Sequence, residues 1–124
     1  MLEELYKQRI IDLYNAPPHK KNLLDATHQA NGNNPTCGDL ITIQAIVKDN
    51  CIVDISYTGE GCAISQAALN LLINEVIGKN ITDIISYTFE DVQTLLGVDI
   101  SHARSNCATL GLRTCQKMFD GTSN

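Results

Sequence analysis

Apolar positions recur at two different periods along this chain of 124 residues. Leu2, Leu5, Tyr6, Ile10 and Leu13 fall near helical spacing with Glu3 and Glu4 ahead of them, which predicts an amphipathic helix ended by Pro17 and Pro18. Leu23 to Ala30 is a weak strand candidate before the turn-rich run Asn31-Gly32-Asn33-Asn34-Pro35. The period then becomes two: Ile41, Ile43, Ala45 and Val47 alternate with Thr42, Gln44, Ile46 and Lys48. Asp49-Asn50 makes a two-residue turn into Cys51, Val53, Ile55 and Tyr57, so a hairpin with one face in the core is expected.

After Gly59-Glu60-Gly61 the period returns to 3.6. Ile64, Ala67, Ala68, Leu71, Leu72 and Val76 form a helical stripe that Gly78 ends. Thr88 and Asp91 form a capping-box pair for a short helix through Leu96, stopped at Gly97. A last helix is expected from about Ser105 to Phe119, with Ala108, Leu112, Cys115 and Phe119 on one stripe. The order predicts an α+β fold, a small antiparallel sheet of about three strands with helices on one face, in a single domain over residues 1–124.

Composition narrows the partners. Hydrophobic residues make up 44% and charged residues 19%, as in folded domains. The net charge is −5 and no block of Lys or Arg stands out, which argues against a nucleic-acid partner. No apolar run approaches the roughly 18–20 residues of a membrane span, and the N-terminus lacks a signal pattern, so a cytoplasmic protein away from membranes is expected.

Five cysteines in that compartment stay reduced, so a disulfide framework is not expected. Cys51, beside Val53 and Ile55, and Cys115, on the last helix's apolar stripe, read as small buried hydrophobes. The other three differ. Cys37 sits in the loop Asn34-Pro35-Thr36-Cys37-Gly38-Asp39, and Cys62 follows Gly59-Glu60-Gly61 directly before a helix. Cys107 falls near the first turn of the last helix, roughly 80° around it from Cys115. Cys62 and Cys107 thus fall at helix N-termini, which favour thiolates, and three loop-edge cysteines with Asp39 are the right number for a tetrahedral metal site. Spacings of 25 and 45 residues match no zinc-finger pattern, so three unrelated thiols remain the alternative on spacing alone.

Taken together, several segments resemble the IscU/SufU family of iron–sulfur cluster assembly proteins, which is similar to the N-terminal part of NifU. Leu5 to Tyr14, with Asn15-Ala16-Pro17, resembles its opening helix and turn. Asn34 to Asp39, Gly59 to Ser65, and Arg104 to Leu110 resemble its three ligand loops, in order. The resemblance implies a compact α+β fold with Cys37, Asp39, Cys62 and Cys107 converging at one end. It implies a pyridoxal-phosphate cysteine desulfurase as sulfur-donating partner and downstream iron–sulfur assembly proteins. It implies either zinc binding with sulfur transfer, as in SufU proteins, or a [2Fe–2S] cluster built on the same ligands, as in IscU scaffolds.

Gly61-Cys62-Ala63-Ile64-Ser65 and Cys107-Ala108-Thr109-Leu110 are SufU-like, and Asn106 stands where IscU proteins have histidine. The interval between Cys62 and Cys107 is short, as in IscU, and lacks the insertion common in SufU proteins. On this resemblance Cys37, on a Pro/Gly loop, is the expected acceptor of persulfide sulfur, and Asp39 is a harder ligand that loosens the site. A structural zinc module that only binds a partner is the third reading. Arg104 is a candidate to pair with an acid on the desulfurase. His102, His19 and His28 carry no ligand spacing, and Glu60 reads as a solvated loop carboxylate.

Overall fold

The computed structural model describes residues 2–120; the Leu2 side chain lies outside them. The order is α1 (Leu2–Asn15), β1 (His28–Asn34), β2 (Asp39–Lys48), β3 (Cys51–Glu60), α2 (Ala63–Val76), α3 (Ile81–Ile85), α4 (Phe89–Leu96) and α5 (Ser105–Asp120), with a short 3-10 turn at His102–Arg104. The three strands form one antiparallel sheet in the order β1-β2-β3. Helices α2 and α5 pack against it, and α1 packs on α2.

The alternation in β2 is as expected: Ile41, Ile43 and Ala45 are buried among the core residues of α2 and α5. Asp49 and Asn50 both have positive φ, the conformation a two-residue hairpin turn of this hand requires. In β3 the expected face shifts. Ile46 pairs with Asp54 and Val47 with Ile52, so Val53 is an extra residue in a bulge. Ile52 therefore turns into the core, Val53 is 48% exposed, and Cys51 is half-buried.

Two other expectations are corrected. The run Asn31–Asn34 is strand rather than turn, because β2 supplies its backbone partners from Thr42 to Asp39. Gly32 belongs there because a Cβ would stand 2.1 Å from Thr114 Oγ1 of α5, which packs across the strand. The expected stripe of α1 is narrower than its sequence suggests: Ile10 is buried, Leu5 is exposed. Helix α3, which periodicity does not reveal, is set by a capping box between Asn80 and Asp83. The Thr88–Asp91 box and the left-handed Gly97 bound α4 as expected. No helix among the described residues is long and apolar enough to cross a membrane.

Candidate metal centre

Residues 35–38 join β1 to β2, and the pairing of Asn34 with Asp39 closes the ladder beneath them. The Cys37 amide donates to the Asn34 carbonyl at 3.1 Å, and Gly38 takes φ +70, so the loop is tight and Cys37 stands half-buried near its tip. Asp39 opens β2 on the same side as Ile41 and Ile43, so the pleat carries its carboxylate inward and leaves it 1% exposed. Cys62 is the N-cap of α2 and half-buried. Cys107, in the first turn of α5, is 0% exposed.

The fold brings three of the four expected ligands together. One donor atom each from Cys37, Asp39 and Cys107 lies within 4.8 Å of the other two. The Cys62 sulfur is not in that set, but the Cys62 amide donates to Asp39 Oδ1 at 2.8 Å, so α2 begins at the site's edge. The Cys37 and Cys107 sulfurs are bonded to each other, with their Cα atoms 6.5 Å apart. That corrects the expectation of unpaired thiols: the β1–β2 loop and the first turn of α5 meet closely enough for the two sulfurs to join. Metal binding needs them reduced and ionised.

One observation tests whether these residues fit a metal. Asp39 Oδ2 is buried and has no hydrogen-bond partner among the described residues, whereas Oδ1 accepts from the Cys62 amide and from Ser65 Oγ at 3.2 Å. A buried carboxylate oxygen left alone is costly, and a cation would remove the cost. With thiolates of Cys37 and Cys107 beside it, the carboxylate makes a mixed sulfur and oxygen donor set of the kind that suits zinc or iron.

Sequence reasoning missed three groups around this cluster. Asn34 Nδ2 lies 3.8 Å from Cys107 Sγ as a donor. Ser65 and Gln66, one turn into α2, face Asp39; their only signal in the sequence is the i+3 and i+4 spacing from Cys62. Cys115 is buried among apolar residues, and burial pushes its thiol up to about 12. Cys51 donates from its thiol to the Gly78 carbonyl at 3.4 Å at the far end of the sheet. Arg104 is exposed on an apolar groove lined by Ile10, Ile11, Ile64, Val98 and Ile100. His19 Nε2 lies 2.6 Å from Asn74 Oδ1, His28 stacks edge-on against Phe119, and His102 is exposed in the 3-10 turn, so none joins the cluster.

Comparison with known proteins converges on one group. Residues 5–120 match the family model for the NifU-like N-terminal domain. A protein of Bacillus subtilis named zinc-dependent sulfurtransferase SufU is 31% identical, with 94% of this chain and 90% of the relative covered. A protein of Thermotoga maritima named iron–sulfur cluster assembly scaffold protein IscU is 32% identical, over 86% of this chain and 75% of the relative. The crystal structure of a NifU-like N-terminal protein from Brucella abortus superposes with a TM-score of 0.80 at 16% identity, over 98% of this chain and 96% of that one. At that identity it bears on the fold alone.

Proposed function

The chain belongs to the NifU-like N-terminal domain family, and on that premise we propose that it serves iron–sulfur cluster biogenesis as a zinc-binding acceptor of persulfide sulfur. The donor partner is a pyridoxal-phosphate cysteine desulfurase. The ligands are Cys37, Asp39, Cys62 and Cys107. The observation that carries the reading is the Asp39 carboxylate beside two sulfurs, its Oδ2 buried and without a partner among the described residues, in a chain whose relatives include one named a zinc-dependent sulfurtransferase. When bound, zinc supplies charge that keeps the thiols ionised.

Cys37 and Cys62 are both half-buried, and Cys37 is the one carried on a loop rather than at the cap of a helix. Cys107 is fully buried and accepts a hydrogen bond from Asn34. A thiol reductant first opens the Cys37–Cys107 bond, leaving two thiols and an oxidised reductant. The Cys37 thiolate then attacks the outer sulfur of the desulfurase persulfide. A sulfur–sulfur bond forms on Cys37 as the one on the desulfurase breaks, and the desulfurase cysteine leaves as a thiolate, with no net oxidation. Arg104, exposed on the apolar groove that it lines together with Ile64, the second residue after Cys62, offers a cation to an acidic group on the donor.

The second reading, a scaffold that assembles a [2Fe–2S] cluster on the same ligands and passes it to downstream assembly proteins, rests on the relative named IscU, which is as similar as the one named SufU. Desulfurase turnover separates the two. The reading expects reduced, zinc-loaded protein to stimulate turnover strongly and Cys37→Ala to abolish the stimulation. No stimulation, with a visible cluster forming under iron and sulfide, would replace it with the scaffold.

A further inference from the structure

The polar atoms packed around Gly61 are not accounted for by the four ligands. Asp39 Oδ1 accepts from the Cys62 amide at 2.8 Å and from Ser65 Oγ at 3.2 Å. The Ser65 hydroxyl also lies 3.1 Å from the Cys62 carbonyl, which accepts the Gln66 amide at 3.0 Å as well. The hydroxyl has one proton to give. A buried carboxylate is the stronger acceptor, so Asp39 takes it.

Gly61 makes this grip possible. A Cβ on it would stand 2.6 Å from Asp39 Oδ1, 2.6 Å from Ser65 Oγ and 3.0 Å from Gln66 Nε2. The three atoms thus surround the open side of the glycine, and a methyl group there would push the carboxylate aside.

Gln66 adds an independent sign that this cradle is built for a charge. The His19 amide donates to Asn70 Oδ1, which fixes the Asn70 side chain so that its Nδ2 donates to the Tyr57 hydroxyl at 2.9 Å. The Tyr57 hydroxyl must then donate onward, to Gln66 Oε1 at 2.8 Å. That leaves Gln66 Nε2 as a donor with no partner among the described residues, on a residue 3% exposed, facing the same side of Gly61 as the Asp39 carboxylate. A buried amide with unused protons is costly unless an acceptor is close by.

We propose that Ser65 is a positioning residue for the Asp39 ligand. With the Cys62 amide it holds Oδ1 and leaves Oδ2 as the single oxygen for the metal, while Gln66 Nε2 stands by as a further donor to the carboxylate. The hold ties Asp39, at the start of β2, to the first turn of α2, so the ligand geometry depends on two elements rather than on the loop alone. The inference rests on the metal-site reading above and adds to it residues outside the ligand set.

Zinc affinity of the reduced protein, read by competition with a chromophoric chelator, tests it. Removing groups that orient metal ligands typically weakens affinity about 10–100-fold, and Ser65→Ala is expected in that range. Ser65→Thr, which keeps the hydroxyl, restores wild-type affinity. In an Asp39→Ala background the Ser65→Ala change has no further effect, because the two act through one bond. Gly61→Ala gives a comparable loss without removing any hydrogen-bonding group. A purely structural role for Ser65 would lower the melting temperature of the metal-free protein and give the same affinity loss in both backgrounds; that result overturns the proposal, as does unchanged affinity in Ser65→Ala. Wild-type protein that takes up no zinc would overturn the metal-site reading and this proposal with it, a result distinct from either.

Discussion

Cys107 and Cys115 stand about two turns apart on α5, and both are fully buried. Their surroundings separate them. Cys107, in the first turn, meets Cys37, Asp39 and the Asn34 amide. Cys115 sits among apolar core residues, where burial alone pushes its thiol up to about 12. Burial therefore does not mark a cysteine as structural. What marks Cys107 is company: a second sulfur and a buried carboxylate, one oxygen of which has no partner among the described residues.

The largest effect that would break or confirm this contrast is on metal binding. Cys107→Ala should lose zinc affinity by more than the about hundredfold typical of an outer-shell substitution, whereas Cys115→Ala should leave it unchanged in the same chelator competition. Equal losses would end the distinction between them.

The pH profile of stability sharpens the other half. The ordinary cysteine value is 9.0, and folding raises that of Cys115 to about 12. Above pH 9 the unfolded chain releases this proton while the folded chain keeps it, so the unfolded state gains and stability falls. Wild-type protein should lose up to about 1.4 kcal/mol per pH unit between these values relative to Cys115→Ala, measured by urea unfolding. A gap between the two proteins that stays constant from pH 8 to 11 would contradict it.

A smaller effect is expected from the polar chain behind the site. Tyr57→Phe leaves Gln66 Oε1 and Asn70 Nδ2 each without their bond to the hydroxyl, and should cost about 1–3 kcal/mol in urea unfolding of the reduced, metal-free protein. The smallest is Asn34→Ala. It removes one donor to Cys107 Sγ and should cost under about 1 kcal/mol, with sulfur from the desulfurase then found on Cys107 as well as Cys37 by peptide mass mapping. Sulfur remaining on Cys37 alone would show that access, not the Asn34 bond, selects the acceptor.

The sequence carried the architecture wherever its signals were local. The alternation in β2, the Asp49-Asn50 turn, the Thr88–Asp91 box and the helical stripes gave the sheet and most helices. It was silent where partners across the fold decide. The polar run Asn31–Asn34 becomes strand only because β2 pairs with it, and one bulge at Val53 moves Cys51 off the buried face. For the candidate site, the sequence pointed to the segments that carry Cys37, Asp39 and Cys107, which the fold brings together. The roles of Ser65, Gln66 and Asn34 were not legible, because a serine, a glutamine and an asparagine have no pattern until the backbone places them on Asp39 and Cys107. Cys62 sits between these cases: its place at the head of α2 was readable, while its sulfur is not within the set that Cys37, Asp39 and Cys107 form.

X-ray absorption at the zinc edge of the reduced, zinc-loaded protein tests the four-ligand site most directly. Three sulfur neighbours at about 2.3 Å and one oxygen at about 2.0–2.2 Å are expected, with one sulfur lost in Cys62→Ala and the oxygen lost in Asp39→Ala. Two sulfurs in the wild type, or a spectrum that Cys62→Ala leaves unchanged, would contradict a four-ligand site.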